Sequence, residues 1–111
     1  MAFERACAIA EVEADEALPV TIGDMEVAVA RNGDEFFAIQ DLCSHAAVRL
    51  SEGEVEDCQI ECFLHGSRFD LRTGKPTSFP ATEPVALFPI EVRGDDVYVD
   101  VTTSLNGVEP S

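Results

Sequence analysis

A chain of 111 residues, 46% apolar and without Trp, makes one domain whose core must be built mainly from aliphatic side chains. Lys and Arg total 7 against 22 Asp and Glu, a formal net charge of −15. Nucleic acid and anionic membrane surfaces would repel such a chain, whereas a basic protein partner would be drawn to it at long range. The bland alternative is that the acidity only keeps the chain soluble. No apolar segment has membrane length: residues 85–90 are short and broken by Pro89. The first residues, Met1-Ala2-Phe3-Glu4-Arg5, lack a basic start and a long apolar centre, so the expected location is the cytoplasm. Four cysteines there are ligands or free thiols rather than disulfides.

In chain order, Val20-Thr21-Ile22, Gly23-Asp24 and residues 26–30 read as two strands joined by a two-residue hairpin with glycine first. Asn32-Gly33 predicts a second hairpin, ahead of a strand over residues 35–39. From about residue 41 to 84 the chain is rich in turn residues, among them Gly53, Gly66, Gly74, Pro76, Pro80 and Pro84. Two short strand-like pieces interrupt it, Gln59-Ile60-Glu61 and Arg68-Phe69-Asp70-Leu71. Residues 89–93 and 97–101 alternate apolar and polar around Gly94-Asp95-Asp96, a third hairpin. Arg93-Gly94-Asp95 spells a cell-adhesion tripeptide, but the turn accounts for it. No long amphipathic helix pattern occurs, and residues 102–111 read as a polar tail that need not be ordered. The expected fold is all-β: an antiparallel sandwich or barrel over residues 1–101, with a loop-bearing subdomain inserted at about 41–84.

Both histidines of the chain lie in that insert. Cys43-Ser44-His45 is followed, after sixteen residues, by Cys62-Phe63-Leu64-His65. Each half supplies one thiolate and one imidazole, the ligand set of a [2Fe-2S] centre with two cysteines on one iron and two histidines on the other. With four thiolates the oxidised centre is a dianion; with two thiolates and two neutral imidazoles it is neutral and more easily reduced. Residues separated by one intervening residue in an extended loop point the same way, which suits Cys43 and His45. Cys62 and His65, separated by two intervening residues, need a tight turn, and Gly66 lets the backbone turn and bring amide N–H groups toward the sulfurs. Cys7 and Cys58 lie outside the pattern and read as small buried hydrophobes.

Cys43-Ser44-His45 with Cys62-Phe63-Leu64-His65-Gly66-Ser67-Arg68-Phe69-Asp70 resembles the two ligand boxes of Rieske ferredoxins. Leu71-Arg72-Thr73-Gly74-Lys75-Pro76 and the proline-rich run at residues 79–85 extend the similarity, which covers about residues 3–101. The resemblance implies that Cys43 and Cys62 bind the buried iron and that His45 and His65 bind the outer one. It also implies a monomeric electron shuttle, with one [2Fe-2S] cluster per chain. Such a shuttle takes electrons from a flavin-containing reductase and gives them to the terminal oxygenase of an aromatic ring-hydroxylating dioxygenase system. Rieske proteins of respiratory and photosynthetic complexes are similar in the boxes but carry two further cysteines, where this chain has Val48 and Leu64, and a tyrosine where it has Phe69. Ser67 keeps a hydroxyl found in many of them. Fewer hydrogen bonds to the sulfurs mean less stabilisation of the reduced cluster, so the expected potential lies at the low end of the Rieske range, on the order of −150 mV.

Three rivals stand beside this reading. Cys2His2 is also a structural zinc set, although zinc fingers pair cysteine with cysteine and histidine with histidine. Cys58 could replace one histidine, or Cys62 and His65 could act as nucleophile and base, but no orienting residue accompanies them. A mononuclear oxygen-activating iron needs two more histidines than the chain has, so a carrier rather than an enzyme is expected. Among carriers, service to a cytochrome P450, a role as a nitrite-reductase small subunit and iron–sulfur assembly remain alternatives.

Overall fold

The computed structural model describes residues 3–42, 48–62, 66–77 and 83–108. Ten strands lie within them: β1 Glu4–Ala8, β2 Ala17–Ile22, β3 Met25–Asn32, β4 Glu35–Gln40, β5 Val55–Glu56, β6 Gln59–Glu61, β7 Arg68–Asp70, β8 Leu87–Phe88, β9 Ile90–Arg93 and β10 Asp96–Val99. Two one-turn 3-10 helices, Ile9–Glu11 and Leu50–Glu52, are the only helices among the described residues. The strands form three antiparallel sheets in the orders β1-β10-β9, β2-β3-β4-β8 and β5-β6-β7. The all-β expectation holds. The small sheet β5-β6-β7 is inserted between β4 and β8, which pair with each other through Ala38↔Phe88 and Ile39↔Leu87.

β3 shows why the layers stack as they do. Val27, Ala28, Val29 and Ala30 are all buried, so this strand is covered on both faces. Its valines join a core shared with β1 and β10, which includes Cys7, Val97 and Val99. Its alanines join a second core, with Leu50, Ile60, Cys62 and Phe69 of the inserted segment. β4 repeats the alternation, with Ala38 in the first core and Ile39 in the second. β2 lies on the sheet edge, where Pro19, which has no N–H to donate, costs no ladder bond to a further strand.

Three hairpins turn on the same dipeptide. Gly23-Asp24 joins β2 to β3, Gly33-Asp34 joins β3 to β4, and Gly94-Asp95 joins β9 to β10. In each the glycine alone has positive φ (61°, 63° and 60°), the pattern of a type II′ loop. The second hairpin therefore departs from the Asn32-Gly33 expectation: Asn32 pairs with Glu35 inside the ladder, and the loop is one residue further on. An Asn-Gly loop of type I′ would need positive φ at Asn32, whereas a Gly-Asp loop needs it only at Gly33. Shifting the loop by one residue shifts the pairing by two, so every side chain keeps its face and the hydrophobic pattern does not choose between the two.

The residues after Val101 are tied down as far as they are described. Leu105 N–H donates to Leu87 O, and the Asn106 amide donates to Val85 O and Thr73 O while its oxygen accepts from Leu87 N–H. A composition rich in Thr, Ser and Asn reads as a tail until Asn106 finds the open backbone groups of 85–87.

Candidate metal centre

Two loops carry the Cys/His boxes, and each is closed at its base by hydrogen bonds. The first leaves β4. Gln40 and Asp41 are buried, polar residues where the strand ends. The Asp41 carboxylate accepts from the Ser51 N–H and the Ser51 hydroxyl, each at 2.7 Å, which draws the two feet of loop 42–50 together. Arg49 bridges outward to Glu26 and lies 3.7 Å from Asp41. Leu50, fully buried in the second core, anchors the returning foot. Cys43 and His45 belong to this loop and lie outside the described residues.

The second loop connects β6 to β7, which pair through Glu61↔Arg68. Cys62 N–H donates to Ser67 O at 2.6 Å, and Gly66 N–H donates to Cys62 O at 2.8 Å. Gly66 has φ 75°, a backbone state that glycine reaches without strain. Its amide closes the loop onto the Cys62 carbonyl, making the backbone turn expected at this glycine. His65 and Leu64 fall within residues 63–65, outside the described set. Cys62 itself is fully buried and unbridged, in the core that holds Phe69, Leu50 and Ile60.

The chemistry of this position suits a cluster ligand. A thiolate in an apolar site is costly alone and is stabilised by a metal. The thiol is delivered on a short loop fixed by backbone hydrogen bonds, with a second tied loop leading to the other thiol and imidazole. Phe69, in place of the tyrosine, is buried in the same core as Cys62 and brings no donor. Ser67 is fully buried. Val48 is half-buried against that core and holds no sulfur for a bridge. Cys58 sits on the Asp57-Cys58 turn between β5 and β6, both residues at positive φ, and packs against the core with its thiol pushed up by burial. Cys7 is buried in the other core and its thiol is likewise raised by burial.

Around the loops the charges are organised locally. Arg68 reaches Glu61 at 3.3 Å and Glu56 at 3.7 Å. Arg72 binds Glu35 through both guanidinium nitrogens, at 2.7 and 2.9 Å, and holds that carboxyl below the usual carboxylate range. Sequence reasoning passed over Gln40, Asp41, Ser51 and Asn106. The available signal was the polar pair Gln40-Asp41 directly after the apolar Phe36-Phe37-Ala38-Ile39 run, where a strand should stay buried.

A family model described as the Rieske [2Fe-2S] domain matches residues 3–89. The chain is 49% identical over 94 residues to the anthranilate 1,2-dioxygenase ferredoxin subunit of Burkholderia cepacia, covering 85% of this chain and 87% of that one. It is 43% identical over 101 residues to the biphenyl 2,3-dioxygenase ferredoxin component of Rhodococcus jostii, covering 91% and 94%. Among solved structures, a complex of reduced oxygenase and oxidized ferredoxin in carbazole 1,9a-dioxygenase contains a chain matched with TM-score 0.81 and 38% identity, covering 87% of this chain and 91% of that one.

Proposed function

The chain belongs to the Rieske [2Fe-2S] domain family, and from that premise we propose that it is the ferredoxin component of an aromatic ring-hydroxylating dioxygenase system. In this role it accepts single electrons from a flavin-containing reductase and passes them to the terminal oxygenase. The observation that carries the reading is the similarity over 85–91% of the chain to dioxygenase ferredoxin components, joined to a buried Cys62 on a tied loop. Cys43 and Cys62 would hold the cluster through sulfur, and His45 and His65 through ring nitrogen. When bound, the cluster supplies a one-electron couple.

The chain's own residues do the rest. The apolar core of Leu50, Ile60 and Phe69 keeps water from the Cys62 side. The hydrogen bonds among Cys62, Gly66 and Ser67 and from Ser51 to Asp41 hold the feet of both loops, so little rearrangement accompanies a change of charge. Phe69 withholds the hydroxyl that a tyrosine would offer, which keeps the potential near the low end of the Rieske range, on the order of −150 mV. The carrier acts in the cytoplasm as a monomer, and its net charge of −15 steers a basic docking face on the partner. No helix among the described residues is long and apolar enough to cross a membrane.

The test is direct. Freshly isolated, anaerobically handled protein should contain iron and inorganic sulfide, be red-brown, and give a Rieske-type EPR spectrum on reduction that His65→Ala abolishes. Electron flow from reductase to oxygenase should depend on the chain and weaken with salt. Colourless protein holding zinc would overturn the reading. Flow to a P450 or a nitrite reductase but to no dioxygenase would move the carrier to another system.

A further inference from the structure

We propose that Gln40 is a positioning residue for the metal centre: its buried amide is a spacer that fixes the first ligand loop against the segment returning from the proline-rich loop. The proposal rests on the ferredoxin reading above.

The ladder between β4 and β8 runs out at Ile39↔Leu87. One residue further, Gln40 N–H donates to Ala86 O at 3.0 Å, but the return bond is made by a side chain: Ala86 N–H donates to the Gln40 amide oxygen at 2.8 Å. The other end of the same amide donates to Leu42 O at 2.8 Å, the carbonyl directly before Cys43. Both polar ends are thus engaged by backbone 46 and two residues away, and Gln40 is only 2% exposed. The orientation of the amide is fixed by its partners, since a flip would set N–H against N–H and oxygen against oxygen.

What this holds matters more than the two bonds. Ala86 leaves the stretch that contains the proline-rich residues 79–84, and Leu42 enters the loop with Cys43 and His45. On its far side, 85–87 is held by Asn106 and Leu105. The returning segment is therefore clamped between two side-chain amides, and among the described residues Gln40 passes that constraint to the foot of a ligand loop. Asp41, the next residue, closes the same loop on itself. Consecutive residues thus hold the two described feet of the loop, Leu42 and Ser51.

The variant to compare is Gln40→Met, which keeps the volume and removes both bonds, in cluster-loaded protein. The control is Val99→Ala, a cavity in the other core. Two readouts apply: the half-time of visible bleaching under a chelator, and the line shape of the reduced EPR spectrum. Gln40→Met should shorten the half-time by roughly tenfold or more, as loss of two buried hydrogen bonds implies, and should broaden the EPR lines. Val99→Ala should lower the unfolding midpoint and leave both readouts unchanged. Should Gln40→Met not accumulate folded, Gln40→Glu serves: its carboxylate still accepts from Ala86 but faces Leu42 O with no proton, and it should shift both readouts in the same direction. Wild-type behaviour of the folded Gln40 variant, or an effect no different from that of Val99→Ala, overturns the proposal. Wild-type protein lacking iron and sulfide would instead overturn the ferredoxin reading.

Discussion

Gly53 offers the sharpest test of how the second ligand loop is supported. It follows the short helix Leu50–Glu52 and lies against the end of β6. A methyl group on Gly53 would overlap the Glu61 carbonyl oxygen and come within 2.8 Å of its carbon, with Leu50 O at 3.3 Å. Ordinary C···O contacts are roughly 3.3 Å or longer, so backbone must yield by well over an ångström, and no flexible side chain is there to yield instead. The Glu61 segment is held by Glu61 N–H to Glu54 O at 2.9 Å and by Cys62 N–H to Ser67 O at 2.6 Å. Losing or stretching these costs about 1 kcal/mol each, and moving the fully buried Ile60 and Cys62 out of register adds about 1–3 kcal/mol. Gly53→Ala should therefore cost about 3–5 kcal/mol, a large share of the roughly 5–15 kcal/mol that holds a domain folded. The comparison is Gly23→Ala. That position has φ 61° and nothing within 4 Å, so alanine there costs only the positive-φ backbone, about 1–3 kcal/mol. Urea unfolding, followed by far-ultraviolet and visible circular dichroism on holoprotein, separates the two. Gly53→Ala should lose the visible signal at lower urea than Gly23→Ala. If it proves no more harmful than Gly23→Ala, the close approach of Gly53 to Glu61 is wrong.

Phe69→Tyr places a hydroxyl in the core that holds Cys62 and should raise the reduction potential; a potentiometric titration giving an unchanged or lower value would show that the ring edge does not face the cluster sulfurs. Truncation after Thr103 removes the Asn106 and Leu105 bonds to 85–87 and, at about 1 kcal/mol net for each bond, should lower the urea midpoint; an unaltered midpoint would mean the segment is dispensable. Glu35, held below the usual carboxylate range by the Arg72 guanidinium, adds stability that is complete above a pH of about 4.3 and is lost as pH falls through its lowered value. Wild type and Glu35→Gln should thus differ in urea midpoint at neutral pH and converge in acid, and a gap that persists at low pH contradicts the pairing.

What the sequence disclosed depended on how local each signal was. The Gly-Asp loops were readable because one residue supplies the positive φ, and the Asn32-Gly33 shift arose because a competing dipeptide preserves every side-chain face. β1, over Glu4–Ala8, contains no β-branched residue; it becomes a strand only by pairing with β10, with an irregularity between Arg5 and Cys7. β8 has two residues and exists through β4. The Cys/His boxes are short-range patterns that point to a ligand set from spacing alone. Their supports join residues far apart in the chain, such as Gln40 to Ala86 and Asn106 to Thr73, and no periodicity carries that information.

The alternation along β3 sets a limit on how this protein can vary. Its inner face toward the inserted sheet is made of Ala28 and Ala30, side chains of a single carbon. Packed layers ordinarily stand about 10 Å apart, and methyl groups let them settle closer. A larger side chain at either position would have to be absorbed where β3 meets Leu50, Ile60 and Phe69 of the inserted segment, so added bulk is tolerated better on exposed rims and loops than on this face.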